Sequence, residues 1–350
     1  MRKLLIITLL VLVLGLTSCC CNKHKCKADK QDNNLNYTGA FHNENYVWGG
    51  AMNLAWNELR ESFIGEPIAF ETTDKEVLDI TAKLNNPVFT KADLDDKSYY
   101  IKSGYGQETV DAINKECRAK FPGKSIPDLL IKLGARDIIS YAYFLKEVMY
   151  PVAFKPGTVK FMDKEVEGFV ADTNSYQNVH LVDYKDDDHF IVALNLKDNQ
   201  DQLFLAKGYP MNNPEELVIS LRQRMLAASE IKDVPGQVIN KKDIFQAPKL
   251  HLDFNREYTQ MLGQKVKNSK LRGYVISVMQ EVLKFDMDEK GARVENEAVI
   301  GMITSAGPNA YTPKMLILDK PYWVLMKRTA SSNPYFLLGV KDTSVMKPLR

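Results

Sequence analysis

The sequence predicts a mixed α/β (α+β) domain, and three observations predict it. Stretches with the two-residue period of strands recur at irregular spacing, most clearly over residues 281–302. Amphipathic helices stand between only some of them, so the regular alternation of a doubly wound parallel sheet is missing. The chain has 350 residues and 45% hydrophobic content, enough for a single large core.

Taken in order, the chain opens with Arg2-Lys3, an apolar run over 4–14 broken only by Thr8, and then Leu16-Thr17-Ser18-Cys19. The run is too short for a comfortable membrane span. This segment resembles a bacterial lipoprotein signal peptide. The resemblance implies removal of residues 1–18, a lipid on the Cys19 thiol, and a membrane-anchored protein of the bacterial envelope facing the periplasm or the cell surface. Four of the five cysteines lie at 19, 20, 21 and 26, which is not the spacing of a disulfide framework, and Cys117 falls on an apolar helix face. Residues 22–36 are rich in Lys, Asp and Asn, so 19–40 reads as a lipidated tether before a single domain over 41–350. Formal net charge is +2, and Arg2 and Lys3 account for it. That balance, with no recognition module, argues against nucleic acid as a partner, and a monomer is expected.

Helical spacing is clear at 49–63 (Met52, Ala55, Trp56, Leu59, Phe63), at 107–121 (Val110, Ile113, Cys117, Phe121) and at 214–226 (Leu217, Leu221, Met225). Pro122-Gly123 stops the second and Pro214 opens the third. Residues 126–133 predict a short apolar helix or turn. Residues 137–149 carry charge only near their ends and read as a central strand buried on both faces. Further strands are predicted at 158–161, 168–171, 179–182, 190–196, 249–254, 314–318, 322–328 and 335–340. In the segment 281–302, Leu283, Phe285 and Met287 share one side, Glu289-Lys290-Gly291 breaks the pattern, and Ala292, Val294, Asn296 and Ala298 resume it.

Several stretches together resemble the serpin family. Gly123-Lys124-Ser125-Ile126-Pro127-Asp128-Leu129-Leu130, with Ala112-Ile113-Asn114 before it, is similar to the family's helix F and the run into the third strand of its main sheet. Tyr143-Phe144 and Pro151 match the end of that strand, with Val148 at the usual tryptophan position. Asp183-Tyr184-Lys185 and Pro248-Lys249-Leu250 fit later strands. Phe285-Asp286-Met287-Asp288-Glu289-Lys290-Gly291 resembles the strand and hinge before the reactive loop. Lys320-Pro321-Tyr322-Trp323 and Tyr335-Phe336-Leu337-Leu338-Gly339-Val340 resemble the closing strands. The likeness covers about residues 107–345. Two departures stand out: the family's Asn-x-x-x-Ser-Pro-x-Ser segment has no counterpart after Phe63, and the hinge carries Val294-Glu295-Asn296-Glu297 where inhibitors mostly carry alanines.

The resemblance implies a fold with a large mixed main sheet, smaller sheets and surrounding helices, and an exposed loop at about 291–315. It also implies a suicide inhibitor of serine or cysteine endopeptidases, whose cleaved loop inserts as a new strand. Glu289, Lys290, Gly291, Ala292, Val294, Asn296 and Ala298 would be its hinge, and the bond attacked would lie near Ser305-Ala306 or Ala310. No basic side chain occurs at 305–310, which argues against a trypsin-like target. The alternative is a non-inhibitory serpin-like surface binding or structural protein. No enzyme motif competes. The five histidines, His24, His42, His180, His189 and His251, form no HExxH pattern, Cys–His cluster or nucleophile elbow, and no metal or cofactor is expected. His189 beside Asp186-Asp187-Asp188 reads as a solvated acidic turn.

Overall fold

The structure is a computed structural model that describes residues 35–227, 236–291 and 311–349. Strands β1 (Ala40–His42) and β2 (Asn45–Gly49) form a hairpin, and helix α1 (Ala51–Leu59) follows directly. Helix α2 (Lys75–Asn85) begins at Asp74, whose carboxylate accepts the N–H groups of Glu76 and Val77. Next come strand β3 (Tyr99–Tyr105), helix α3 (Gly106–Lys120) and strand β4 (Ile138–Phe144). Five strands follow: β5 (Lys155–Phe161), β6 (Lys164–Val170), β7 (Val179–Asp186), β8 (His189–Leu194) and β9 (Asp201–Lys207). Helix α4 (Glu215–Ala227) leads to β10 (Gln237–Val238), β11 (Ile244–Pro248), β12 (Leu250–Glu257) and β13 (Gln280–Met287). The chain closes with β14 (Met315–Ile317), β15 (Tyr322–Arg328) and β16 (Pro334–Val340).

Among the described residues these strands form four sheets. The largest has eight strands in the order β1-β2-β16-β15-β9-β8-β7-β10, all antiparallel. Its centre consists of continuous apolar runs, because both faces are covered: nearly every side chain of β8, β9, β15 and β16 is buried. A four-stranded sheet, β14-β11-β6-β5, contains the parallel pair β11–β14. The remaining four strands make two separate antiparallel ribbons, β3–β4 and β12–β13. The expected large mixed main sheet is therefore divided. The largest sheet is antiparallel, and the strands on either side of the expected insertion site do not pair with each other.

Several expectations shift. Residues 126–133 form no helix, because Pro127 withholds an amide donor and Leu130 points into solvent at 93% exposure. Strand β4 pairs only with β3 among the described residues. Its outward Ile139, Tyr141 and Tyr143 are covered by Ile113, Cys117 and Phe121 of and beside α3, while Ala142 and Phe144 reach the main core. The tether expected over 19–40 is shorter than that at its far end: Leu35 and Tyr37, on either side of half-buried Asn36, are 3% and 6% exposed, and β1 begins at Ala40.

Asn45 holds the strand–helix junction to the C-terminus. Its carbonyl oxygen accepts the N–H groups of Lys341 (2.7 Å) and Asp342 (3.1 Å), and its amide donates to Asp342 Oδ1 (2.9 Å) and Ser344 Oγ (3.0 Å). The residue is fully buried. Asn45→Ala would strand two backbone donors, so it is expected to cost about 2–4 kcal/mol. Urea unfolding of the two proteins would read this directly as a lower midpoint.

Candidate functional site

The site is the cleft between the two ribbons, and α1 is its floor. The helix packs against β3, β4 and β13. On one wall, Ser140 Oγ of β4 donates to the Ala55 carbonyl at 2.6 Å, and Ser103 Oγ of β3 donates to Glu58 Oε1 at 3.1 Å. On the other wall, Leu283 and Glu281 of β13 lie directly over Gly49. A Cβ added there would sit 2.4 Å from Leu283 Cδ1, a side-chain methyl that would have to turn aside. Gly50 is crowded in the same way by Phe89. Asn45-Tyr46-Val47-Trp48-Gly49-Gly50 thus has the Asn-x-x-x-Ser-Pro spacing expected beyond Phe63. It stands ahead of the first helix, with glycines in place of Ser-Pro. The signal was an asparagine four residues before a helix-opening pair, and the loss of both Ser and Pro concealed it.

Above the floor the two walls meet at the hinge. Asp288 Oδ1 accepts the Lys290 N–H at 2.9 Å, which shapes a tight turn. Asp288 and Gly291 then exchange backbone bonds at 3.1 and 3.4 Å, so the chain reverses direction at Gly291. Gly291 also bridges Met149, again antiparallel. It is therefore buried between the end of β13 and the chain beyond β4, antiparallel to both, and those two walls run parallel to each other. Tyr150 N–H donates to the Lys290 carbonyl (3.2 Å) and Phe154 N–H to the Glu289 carbonyl (2.7 Å). Gly291 has φ +103°, and a Cβ would fall 2.5 Å from the Val148 carbonyl oxygen and 2.6 Å from Met149 Cα. Both obstacles are backbone, so neither can swing aside.

Glu289 points back to Lys249, just ahead of β12, at 2.9 Å, and Lys249 also lies 3.5 Å from Glu167 of β6. The Glu289 and Lys249 side chains are only 15% and 14% exposed. Burial disfavours the ammonium, but Glu289 and Glu167 outweigh it and raise the Lys249 pKa. Burial likewise works to raise Glu289, and Lys249 reverses this to hold its carboxyl below the ordinary range.

The far end of the expected loop is clamped by three carboxylates. Asp243 Oδ1 accepts Tyr311 OH (2.7 Å) and Lys314 N–H (2.8 Å). Asp187 Oδ1 accepts Tyr184 OH (2.6 Å) and Met315 N–H (2.9 Å), and the Tyr184 bond leads in keeping its pKa low. Asp188 pairs with Lys320 (2.7 Å) and Lys207 (3.1 Å), while Lys207 Nζ donates to the Ile317 carbonyl (2.8 Å) and Asp319 (2.9 Å). The acidic turn at 186–188 is solvent-exposed at Asp186 and Asp188, as expected, and it also fastens β14 through Asp187. His189 stacks on Tyr209, and His251 is an exposed partner of Asp286. No group of three or more metal-ligating side chains occurs among the described residues.

Of the expected site residues, Glu289, Lys290 and Gly291 come together at the head of the cleft. Ala292, Val294, Asn296, Ala298, Ser305, Ala306, Ala310 and Cys19 lie outside the described residues. The loop expected at 291–315 is narrower at both ends, because Gly291 is buried in the turn and 311–315 is bound to Asp243 and Asp187.

No protein-family model matches the sequence, and no curated protein does. Solved structures do match the fold. An Arabidopsis serpin in its native stressed conformation aligns with a TM-score of 0.50 at 13% identity, over 87% of this chain and 93% of its own. This chain has the serpin fold. Tengpin, a thermophilic serpin in the native state, aligns with a TM-score of 0.49 at 15% identity, covering 87% of this chain and 90% of Tengpin. Human glycosylated kallistatin aligns with a TM-score of 0.41 at 17% identity over 68% of this chain, which spans 64% of kallistatin's length. At these identities the likeness is one of serpin fold.

The Lys249–Glu289 pair yields a charge-swap prediction. Glu289→Lys is expected to lose roughly 2–4 kcal/mol, because it leaves two ammonium groups in a largely buried place. Lys249→Glu combined with Glu289→Lys should recover much of that loss, as read by denaturant midpoints. With Glu289 held low, the pair contributes above the ordinary carboxylate pKa and is lost as the pH falls through the folded value.

Proposed function

We propose that this serpin-fold protein inhibits serine or cysteine endopeptidases by taking its own cleaved loop into the cleft as a new strand. The observation that carries the reading is the turn at 288–291. It reverses the chain and sets Gly291 between the end of β13 and the chain beyond β4, two strands whose facing edges have no other partner among the described residues. Continuing the Asp288–Gly291 register by twos sets Ala292, Val294, Asn296 and Ala298 opposite Met287, Phe285, Leu283 and Glu281, which all face inward. Three of these four inserting side chains are apolar and small or medium in size. Burying Asn296 unpaired costs roughly 1–3 kcal/mol, whereas each backbone bond gained along either edge contributes about 0.5–1.5 kcal/mol. Several such bonds outweigh the asparagine.

The two ends of the loop explain why cleavage would be the trigger. Gly291 is seated in the cleft, while Tyr311 and Lys314 are tied to Asp243 on the four-stranded sheet. An intact segment must serve both anchors. A cut near Ser305-Ala306 or Ala310 frees the hinge side to run down the cleft, carrying an acylated protease with it. With no basic residue at 305–310, an elastase-, subtilisin- or papain-like enzyme fits this bait. The composition Val294-Glu295-Asn296-Glu297 favours the second reading, a non-inhibitory surface protein that shares the fold. In either case we place the protein in the bacterial envelope, held in the bilayer through Cys19.

Incubation with elastase-, subtilisin- and papain-like proteases is expected to give an SDS-resistant adduct with at least one of them. The loop-cleaved protein should melt well above the intact one. Gly291→Val should still be cut yet lose both effects, because its side chain collides with backbone at the hinge. Cleavage with no adduct and an unchanged melting temperature would sink the inhibitor reading in favour of the second. Labelled fatty acid should enter the wild-type protein in a bacterial host and be absent from Cys19→Ser; equal labelling of both would contradict the anchor.

A further inference from the structure

Strand β3 has an edge that takes no part in the cleft. Two backbone bonds bracket the β3–β4 ribbon: Leu145 N–H to the Ser98 carbonyl (2.9 Å) and Gly106 N–H to the Asp137 carbonyl (2.8 Å). Both fall on even-numbered residues of the β3 side, and the register between them has no bulge. In an antiparallel pair, a residue that bonds the partner strand does so with both backbone groups, and its neighbours turn theirs the other way. Tyr100 and Lys102 therefore bond β4, while Tyr99, Ile101 and Ser103 direct their N–H and C=O groups to the outer edge. None of those groups has a hydrogen-bond partner among the described residues. Tyr105 keeps the same phase: its carbonyl faces away from β4 and accepts the Thr109 hydroxyl of α3 at 2.7 Å.

A cavity of about 470 Å³ lies along this edge. Ser103 Oγ meets Glu58 of α1 on one face of β3, while Tyr100 OH and Lys102 Nζ each meet Glu116 of α3 at 2.9 Å on the other. Both glutamates line the one cavity, together with Tyr99, Tyr100 and Ile101. A space reached from both faces must pass round a strand edge, and β4 fills the inner one. The lining is completed by Lys91 and Lys120, both exposed. These lysines differ from the glutamates beside them. Glu58 accepts the Ser62 and Ser103 hydroxyls, and Glu116 is bound by Lys102 and Tyr100. In the turn ahead of β3, Asp95 accepts the Lys97 N–H and Asp96 the Tyr99 hydroxyl. Lys91 and Lys120 make no ion pair or hydrogen bond through their ammonium groups among the described residues, and Lys120 Nζ lies only over the Tyr99 ring, 5.1 Å from its centre.

We propose that the outer edge of β3 docks an extended acidic segment of a partner protein as an added strand. Its backbone pairs with Tyr99, Ile101 and Ser103, and its carboxylates meet Lys91 and Lys120. The backbone ladder binds any extended segment without proline at the paired positions, and the two ammonium groups select acidic side chains beside them. This edge faces away from β4 and the cleft, so the docking stands whether or not the loop inserts.

The test uses the intact full chain and a displayed library of random eight-residue peptides, with the recovered peptides then made synthetically. They should be rich in Asp and Glu and poor in proline. In the free protein, the amides of Tyr99, Ile101 and Ser103 should exchange faster than those of Tyr100 and Lys102, and saturating peptide should slow the first three alone. Ile101→Pro removes an N–H that β4 does not use, so the variant should fold and lose binding. Lys91→Glu combined with Lys120→Glu should weaken binding roughly tenfold or more. Should Ile101→Pro fail to fold, peptides N-methylated at alternate residues replace it: one of the two methylation phases should abolish binding. Recovery of no peptide or of basic ones, unchanged affinity in the double lysine variant, or equal slowing of odd and even amides would overturn the proposal.

Discussion

Strands β4 and β13 each offer one edge that no other described strand satisfies, and the rest of the molecule is arranged around those two edges. Helix α1 supports both strands, taking a serine hydrogen bond from β4 on one side and the close approach of Leu283 to Gly49 on the other. The helix can lie there because β2 delivers it directly from the eight-stranded sheet, with Asn45 fastening the junction to the C-terminus.

The two attachments that flank the undescribed stretch 292–310 differ in kind. At the hinge, backbone bonds to Tyr150 and Phe154 and the Lys249–Glu289 pair hold a turn that reverses the chain. At the other end, β14 is one strand of a parallel pair reinforced by Asp243, Asp187 and the Lys207–Asp188–Asp319 group. One attachment points into the cleft and the other belongs to a different sheet. That separation gives cleavage its mechanical meaning in the proposed inhibition: the two ends have different destinations.

Much of this was legible in the sequence where patterning is local. The helices α1, α3 and α4 followed from apolar spacing, α3 and α4 also from prolines at their ends, and most of the strands from alternation or short apolar runs. The inward side of β13 was read correctly from Leu283, Phe285 and Met287. What escaped was set by tertiary partners. Strand β9 (Asp201–Lys207) begins and ends with charge, yet it is wholly buried because Asp201 meets Lys146 and Lys207 meets Asp188 and Asp319. The acidic turn at 186–188 is solvated as read, but its bonds to β14 and Lys320, more than a hundred residues away, have no local signal. Glu281 alternates correctly as an inward residue, but its charge argues for the surface, and only the Tyr258 hydroxyl and the first turn of α1 explain its place. Division of the sheet into two ribbons has no sequence signal, since each ribbon satisfies the same two-residue period whether or not its neighbour is paired.

The central claim concerns those two edges, and amide hydrogen exchange tests it most directly. Exchange along β4 and β13 should be compared in the intact protein and after a single cut within residues 304–310. The account predicts that amides on the cleft-facing edges of both strands, which have no partner strand among the described residues, become strongly protected after the cut, while β3 and β12 change little. Unchanged exchange on β4 and β13 after complete cleavage would show that nothing fills the cleft and would contradict it.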